Sequence, residues 1–110
     1  MSFQRVIIEG LIGNIYDLKE YGEDGKAIDF SIATQEYDFK SKENRTVWHN
    51  LTAFGKNAIF IDEQLDKGSS VLVEGRLNYD SYDKDGVKHE KTKIIVDSIR
   101  FSGRKDKSKD

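Results

Sequence analysis

Hydrophobic and polar positions alternate along several short runs of the chain, each bounded by glycine or by a polar cluster, which is the pattern of half-buried β-strands. In the run Thr46 to Phe54, one face carries Val47, His49, Leu51 and Ala53, and the other carries Trp48, Asn50, Thr52 and Phe54. The first set reads as a core face; the second places the only tryptophan and a phenylalanine among polar residues. Upstream, Val6-Ile7-Ile8 passes Gly10 and Gly13 before Ile15-Tyr16. That spacing predicts one sharply bent strand over Arg5 to Tyr21, able to serve two sheets or close a barrel. A turn over Tyr21 to Lys26 then leads to a strand in which Ile28, Phe30 and Ile32 alternate with Asp29, Ser31 and Ala33, giving a hairpin. From Gln35 to Asn44 the chain is polar and is expected to form a mobile loop, with Tyr37 and Phe39 set among charges.

After the platform-like strand, Ala58, Ile61 and Leu65 recur at helical spacing within Lys56 to Lys67, and Gly68 suits the position after a helix end. Val71 to Tyr79 predicts another strand, with Val71, Val73, Leu77 and Tyr79 on one side. Asp85-Gly86 is a hairpin signal, and a closing strand is expected over Glu90 to Phe101. The polar segment Ser102 to Asp110 reads as a disordered tail. The expected division is therefore a folded domain over residues 1–102 and a short tail over 103–110.

Composition narrows the function classes. A chain of 110 residues fits one domain. There is no cysteine, so disulfides and thiolate metal sites are excluded. His49 and His89 stand alone as histidines and make no zinc site by themselves. No apolar run approaches a membrane span or a signal peptide, which predicts a soluble, intracellular protein. The net charge of −2 means that any nucleic-acid site must be a local basic patch on a near-neutral body. Ser81, Asp83, Asp85 and Gly86 resemble the start of a calcium loop, but Thr92 occupies the place of the required bidentate glutamate. No P-loop, nucleophile elbow or catalytic carboxylate pair is present. Neither a cofactor nor a metal is expected, and the chain is read as a non-enzyme, with His49 structural rather than catalytic.

The element order is strand, strand, strand, helix, strand, strand. It predicts an all-β OB-fold, a five-stranded Greek-key barrel with one short helix between strands three and four; such barrels bind oligonucleotides or oligosaccharides across strands two and three. The Trp48 strand would be the third. Six residues separate Trp48 from Phe54, about 20 Å of extended chain, a length several unstacked bases can follow. Lys40, Lys42 and Arg45, beside Tyr37 and Phe39, would add phosphate contacts and further rings. These features point to single-stranded nucleic acid.

Four segments together resemble the bacterial-type single-stranded DNA-binding protein family. They are Val6 to Gly13, Phe30 to Thr34, Thr46-Val47-Trp48-His49-Asn50 with Ala53 to Ala58, and Lys67 to Leu77. The resemblance spans residues 4 to about 101. It implies that Trp48 and Phe54 stack on bases, that Tyr82 is the aromatic of the long hairpin, and that a loop aromatic falls near Tyr37 or Phe39. It also implies that Arg5 is the basic residue opening the first strand. Arg76, Lys84 and Lys88 join Arg5, Lys40, Lys42 and Arg45 as candidate phosphate contacts. The implied activity is sequence-independent protection of single-stranded DNA in replication, recombination or repair; the alternative is an OB-fold accessory replication protein acting through protein contacts or on RNA. The implied assembly is a homo-oligomer, tetramer favoured and dimer possible. Cellular members typically continue into an acidic, hydrophobic tip, whereas this sequence stops at Lys107-Ser108-Lys109-Asp110. A short, phage-like or mobile-element form is therefore expected, without tail-mediated recruitment of replication enzymes.

Overall fold

The computed structural model describes residues 3–22 and 25–102. Its elements are β1 (Val6–Ile15), β2 (Lys19–Tyr21), β3 (Gly25–Asp38), β4 (Glu43–Phe54), α1 (Gly55–Gln64), β5 (Ser70–Lys84) and β6 (Val87–Phe101). The strand order is β1-β5-β6-β4-β3-β2, and a second pairing of β1 with β3 closes five strands into a barrel. This is the OB-fold expected from the sequence.

Closure depends on the bend in β1. Val6 to Leu11 pair with β5, Leu11 to Ile15 pair with β3, and the register slips between Ile12 and Ile15. At the bend a Cβ on Gly10 would lie 2.4 Å from the Ala33 carbonyl oxygen, so only a glycine lets the two backbones approach this closely. The run expected to reach Tyr21 as one strand is interrupted after Ile15, and β2 forms a separate short hairpin with β3. Lys26 Nζ sits 2.6 Å from Glu20 across that hairpin. Its hydrogen bond and charge hold the Glu20 carboxyl below the usual carboxylate range. Glu23 and Asp24 of the predicted turn lie outside the described residues, as does the predicted tail beyond Ser102.

Inward positions fill the barrel with Ile12, Ile28, Phe30, Ile32, Leu51, Ala53, Val71, Val73, Ile94 and Val96. Each large aliphatic or aromatic side chain buried this way contributes about 1.5–3 kcal/mol. Helix α1 closes one end with Ala58 and Ile61, and Leu65 completes that contact. The helix stops at Gln64, earlier than the pattern suggested; Gly68, with φ +95°, turns the chain beyond it. No helix among the described residues is long and apolar enough to cross a membrane.

Two expectations change beyond the core. The segment Gln35 to Asn44 is not a loop: β3 and β4 stay paired out to Asp38 and Glu43, leaving only Phe39 to Lys42 as the turn. Both faces of this arm meet solvent, so its sequence has no alternation to betray the strands. The strand expected to end at Tyr79 runs on to Lys84, because β5 and β6 continue as a paired arm past the end of the barrel, which leaves Tyr79 65% exposed. That arm turns at Asp85-Gly86, both with positive φ (54° and 79°), as a type I′ hairpin requires.

Candidate nucleic-acid interface

The platform strand presents the faces its alternation predicted, with one exception. Trp48 and Phe54 are 57% and 41% exposed on the outside of the barrel, while Leu51 and Ala53 are buried inside. Register across β3 places Ala33 beside Trp48, Ser31 beside Asn50 and Ala27 beside Phe54 on that outer face. The residues under the indole are small. A Cβ on Gly13 would stand 2.2 Å from Trp48 Cζ3 and 2.9 Å from Ser31 Oγ. Gly13, Ser31 and Ala33 thus form a bed across β1 and β3 on which the ring lies. The exception is Thr52, only 4% exposed, whose hydroxyl donates to Asp29 Oδ1 at 2.6 Å.

Here the outer face dips into a groove of about 630 Å³. Ile15, Tyr16, Asp17, Lys19, Asp29, Asn50, Thr52, Lys91 and Lys93 line it, and the inward-packed Phe30 and Leu51 border it. The lysines of β6 arrive through the parallel pairing of β6 with β4, Leu51 beside Ile94 and Thr52 beside Ile95. Lys19 Nζ lies 3.9 Å from Asp29. Sequence reasoning missed Gly13, Tyr16, Lys19, Lys91 and Lys93. The spacing His89, Lys91, Lys93 on the closing strand was a legible signal for the last two; nothing local marked Gly13 as a ring seat.

Two arms flank the groove. On the β3–β4 arm, Tyr37 is paired with Asn44 and shares the sheet face of Trp48. Phe39, at the turn, meets Tyr37 edge to face with centroids 4.9 Å apart. Lys40 and Lys42 occupy the same turn, where the Lys40 amide donates to Asp38 Oδ1 at 2.9 Å and Lys42 has φ 61°. On the β5–β6 arm, Tyr82 stacks on His89 at 5.3 Å, with planes 20° apart. Lys84 shares the face of Tyr82, and Lys88 lies on the opposite face.

The candidate cations divide into two groups. Arg5 pairs with Glu74 at 2.6 Å, Arg45 with Glu36 at 3.1 Å and Arg76 with Asp97 at 2.5 Å. Lys40, Lys42, Lys84 and Lys88 make no ion pair among the described residues. Exposed pairs of this kind are worth about 0–1 kcal/mol, so an incoming phosphate can displace the carboxylate. Arg76 stands in register with Ile95, and Ile95 with Thr52, two strands or about 10 Å from the groove. Arg5 is further away, held on the β1–β5 wall by Glu74. His49 is half-buried, its Nε2 2.9 Å from Thr34 Oγ1 across the β3–β4 ladder.

Comparison with known proteins agrees with this geometry. Residues 3–102 match the model of the single-strand binding protein family. The chain is 34% identical to single-stranded DNA-binding protein 1 of Chlorobaculum tepidum, over 96% of its own length and 68% of that protein. It is 40% identical to a single-stranded DNA-binding protein of Xanthomonas axonopodis pv. citri, over 93% of its length and 59% of that protein. It thus spans about three-fifths to two-thirds of these relatives. Among solved structures, a Plasmodium falciparum SSB complex with ssDNA superposes with a TM-score of 0.81 at 26% identity, covering 93% of this chain and 96% of that one. On the matched sequence and the shared barrel, the chain belongs to the single-strand binding protein family.

Proposed function

We propose that this protein binds single-stranded DNA without sequence preference, protecting it and keeping it free of hairpins during replication, recombination or repair. One observation carries the reading: Trp48 and Phe54 face outward along one strand of a closed barrel, beside a groove lined by Lys19, Lys91 and Lys93. Every base has a π-face, so ring stacking accepts any sequence, and phosphate contacts are blind to it. Trp48 and Phe54 are the principal stacking rings. Tyr37, Phe39 and Tyr82 extend them along the arms. Lys40, Lys42, Arg45, Arg76, Lys84, Lys88 and, more remotely, Arg5 supply phosphate contacts. The role is binding rather than catalysis, needs neither metal nor cofactor, and places the protein in the cytoplasm.

The working unit is residues 1–102, with 103–110 as an appended tail, and it acts as a homo-oligomer, tetramer favoured over dimer. Support for assembly comes from β1, where Ile7 and Leu11 are 60% and 52% exposed on the outer wall. Only β5 pairs with its Val6 to Gly10 stretch among the described residues, leaving an edge that a second copy would cover. Anisotropy of labelled oligo(dT), challenged with unlabelled duplex and with an RNA of the same length, tests the function. Oligo(dT) is expected to bind, to resist the duplex, and to show log K falling with log salt at roughly −0.7 per phosphate contacted. No binding at low salt would sink the reading.

A further inference from the structure

Outward positions along β6 carry His89, Lys91 and Lys93, in register with Tyr82, Asp80 and Asn78 of β5. Lys91 and Lys93 line the groove beside Asn50 and Thr52. His89 stands one step further out, where Tyr82 stacks on its ring. Alternate residues of a strand are about 6.6–6.8 Å apart, close to the phosphate-to-phosphate step of an extended single strand. The three side chains therefore offer one nitrogen group per nucleotide, and none makes an ion pair among the described residues.

We propose that His89, Lys91 and Lys93 form a phosphate-tracking row in which His89 is a conditional rung, contacting phosphate as imidazolium and only stacking when neutral. The proposal rests on the single-stranded DNA reading above and names how that site is regulated. Stacking on Tyr82 holds the imidazole at the end of the row, so less ordering entropy is lost on binding. The charged residues that share the face of His89 nearby are Lys91 on β6 and Lys84 on β5; Lys88 and Glu90 lie on the opposite face. A phosphate bound between His89 and Lys91 offsets the repulsion of the two cations. Binding is thereby linked to proton uptake, and affinity rises as pH falls through the interval in which histidine titrates.

Oligo(dT) is the probe because thymine stays neutral throughout that interval. Isotherms of the full chain are taken at several salt concentrations at about pH 5.5 and about pH 8, either side of histidine's charge change. At the lower pH the slope of log K against log salt is expected to steepen by about 0.7, and the affinity at 0.1 M salt to rise about fivefold, the worth of one phosphate contact. His89→Gln abolishes both changes. His89→Lys keeps the steeper slope at both pH values, and Lys91→Gln lowers the slope at both. An effect relayed by His49, which bonds Thr34 on the other face, would survive in His89→Gln. Oligo(dT) binding with quenched Trp48 emission but an undiminished pH response in His89→Gln would overturn the conditional rung and leave the DNA reading standing. So would a wild-type slope that is the same at both pH values, and an unchanged slope in Lys91→Gln would overturn the row. No oligo(dT) binding at either pH removes both the row and the reading.

Discussion

Trp48 lies on a closed barrel, seated over Gly13 and Ser31, with Leu51 and Ala53 packed behind its strand. Tyr37, Phe39 and Tyr82 project instead on two-stranded arms that enclose no core, each ring held by one aromatic neighbour: Phe39 for Tyr37, His89 for Tyr82. The difference is one of preorganisation. A ring fixed on the body loses little freedom when a base stacks on it; a ring on an arm orders part of the arm as it binds. The body sets the line of the strand, and the arms adapt to it.

The largest contrast is in stability. Leu51→Ala empties a fully buried site behind the platform and is expected to cost about 2–5 kcal/mol in urea unfolding. Val87→Ala, at an exposed position of the β5–β6 arm, should stay within about 0.5 kcal/mol. Comparable losses would mean that the arm contributes to the core and that the distinction fails.

Next in size is the platform itself. Trp48→Ala should weaken oligo(dT) binding by about 1–3 kcal/mol, the range for a ring stacked on a base, with the unfolding midpoint little moved because the ring is largely exposed. Gly13→Ala separates the ring from its seat. The new methyl falls at 2.2 Å from Cζ3, so the indole must shift, with about 1–3 kcal/mol of overpacking cost and weakened DNA binding although every ring is still present. Wild-type affinity in Gly13→Ala would show that the seat is irrelevant.

The smallest effect sharpens the account of the arms. Tyr37→Ala and Phe39→Ala should be non-additive in oligo(dT) binding, with a coupling of about 0.5–1.5 kcal/mol, because each ring orients the other. Additive losses in the double-mutant cycle would make the two rings independent contacts.

Legibility in the sequence follows the same division between body and arms. The barrel strands could be read because one face of each is buried, and burial writes an alternation into Ile28-Phe30-Ile32, Leu51-Ala53 and Val71-Val73. The β3–β4 arm could not: with both faces in water, Gln35 to Asn44 carried no alternation, and paired strands looked like a loop; the β5–β6 arm was announced only by its Asp85-Gly86 turn. The true end of β5 was missed for the related reason that the strand runs on after it has left the core. The outward Trp48 and Phe54 were legible as aromatics on a polar face. Their surroundings were not, since Gly13 meets Trp48 across β3, and Lys91 and Lys93 reach the groove beside Asn50 and Thr52 through a parallel pairing that local pattern cannot announce. The ion pairs of Arg5, Arg45 and Arg76 were hidden likewise, each partner lying on another strand. Among the described residues, the candidate phosphate contacts without such pairs are lysines at the turns of the arms and on the row of β6.

The most direct test of the central claim uses the sole tryptophan of the chain. Emission of Trp48 is followed while oligo(dT) is added at low salt. The account predicts strong, saturable quenching that high salt reverses and that Gly13→Ala diminishes; binding that leaves the emission of Trp48 unchanged would contradict it.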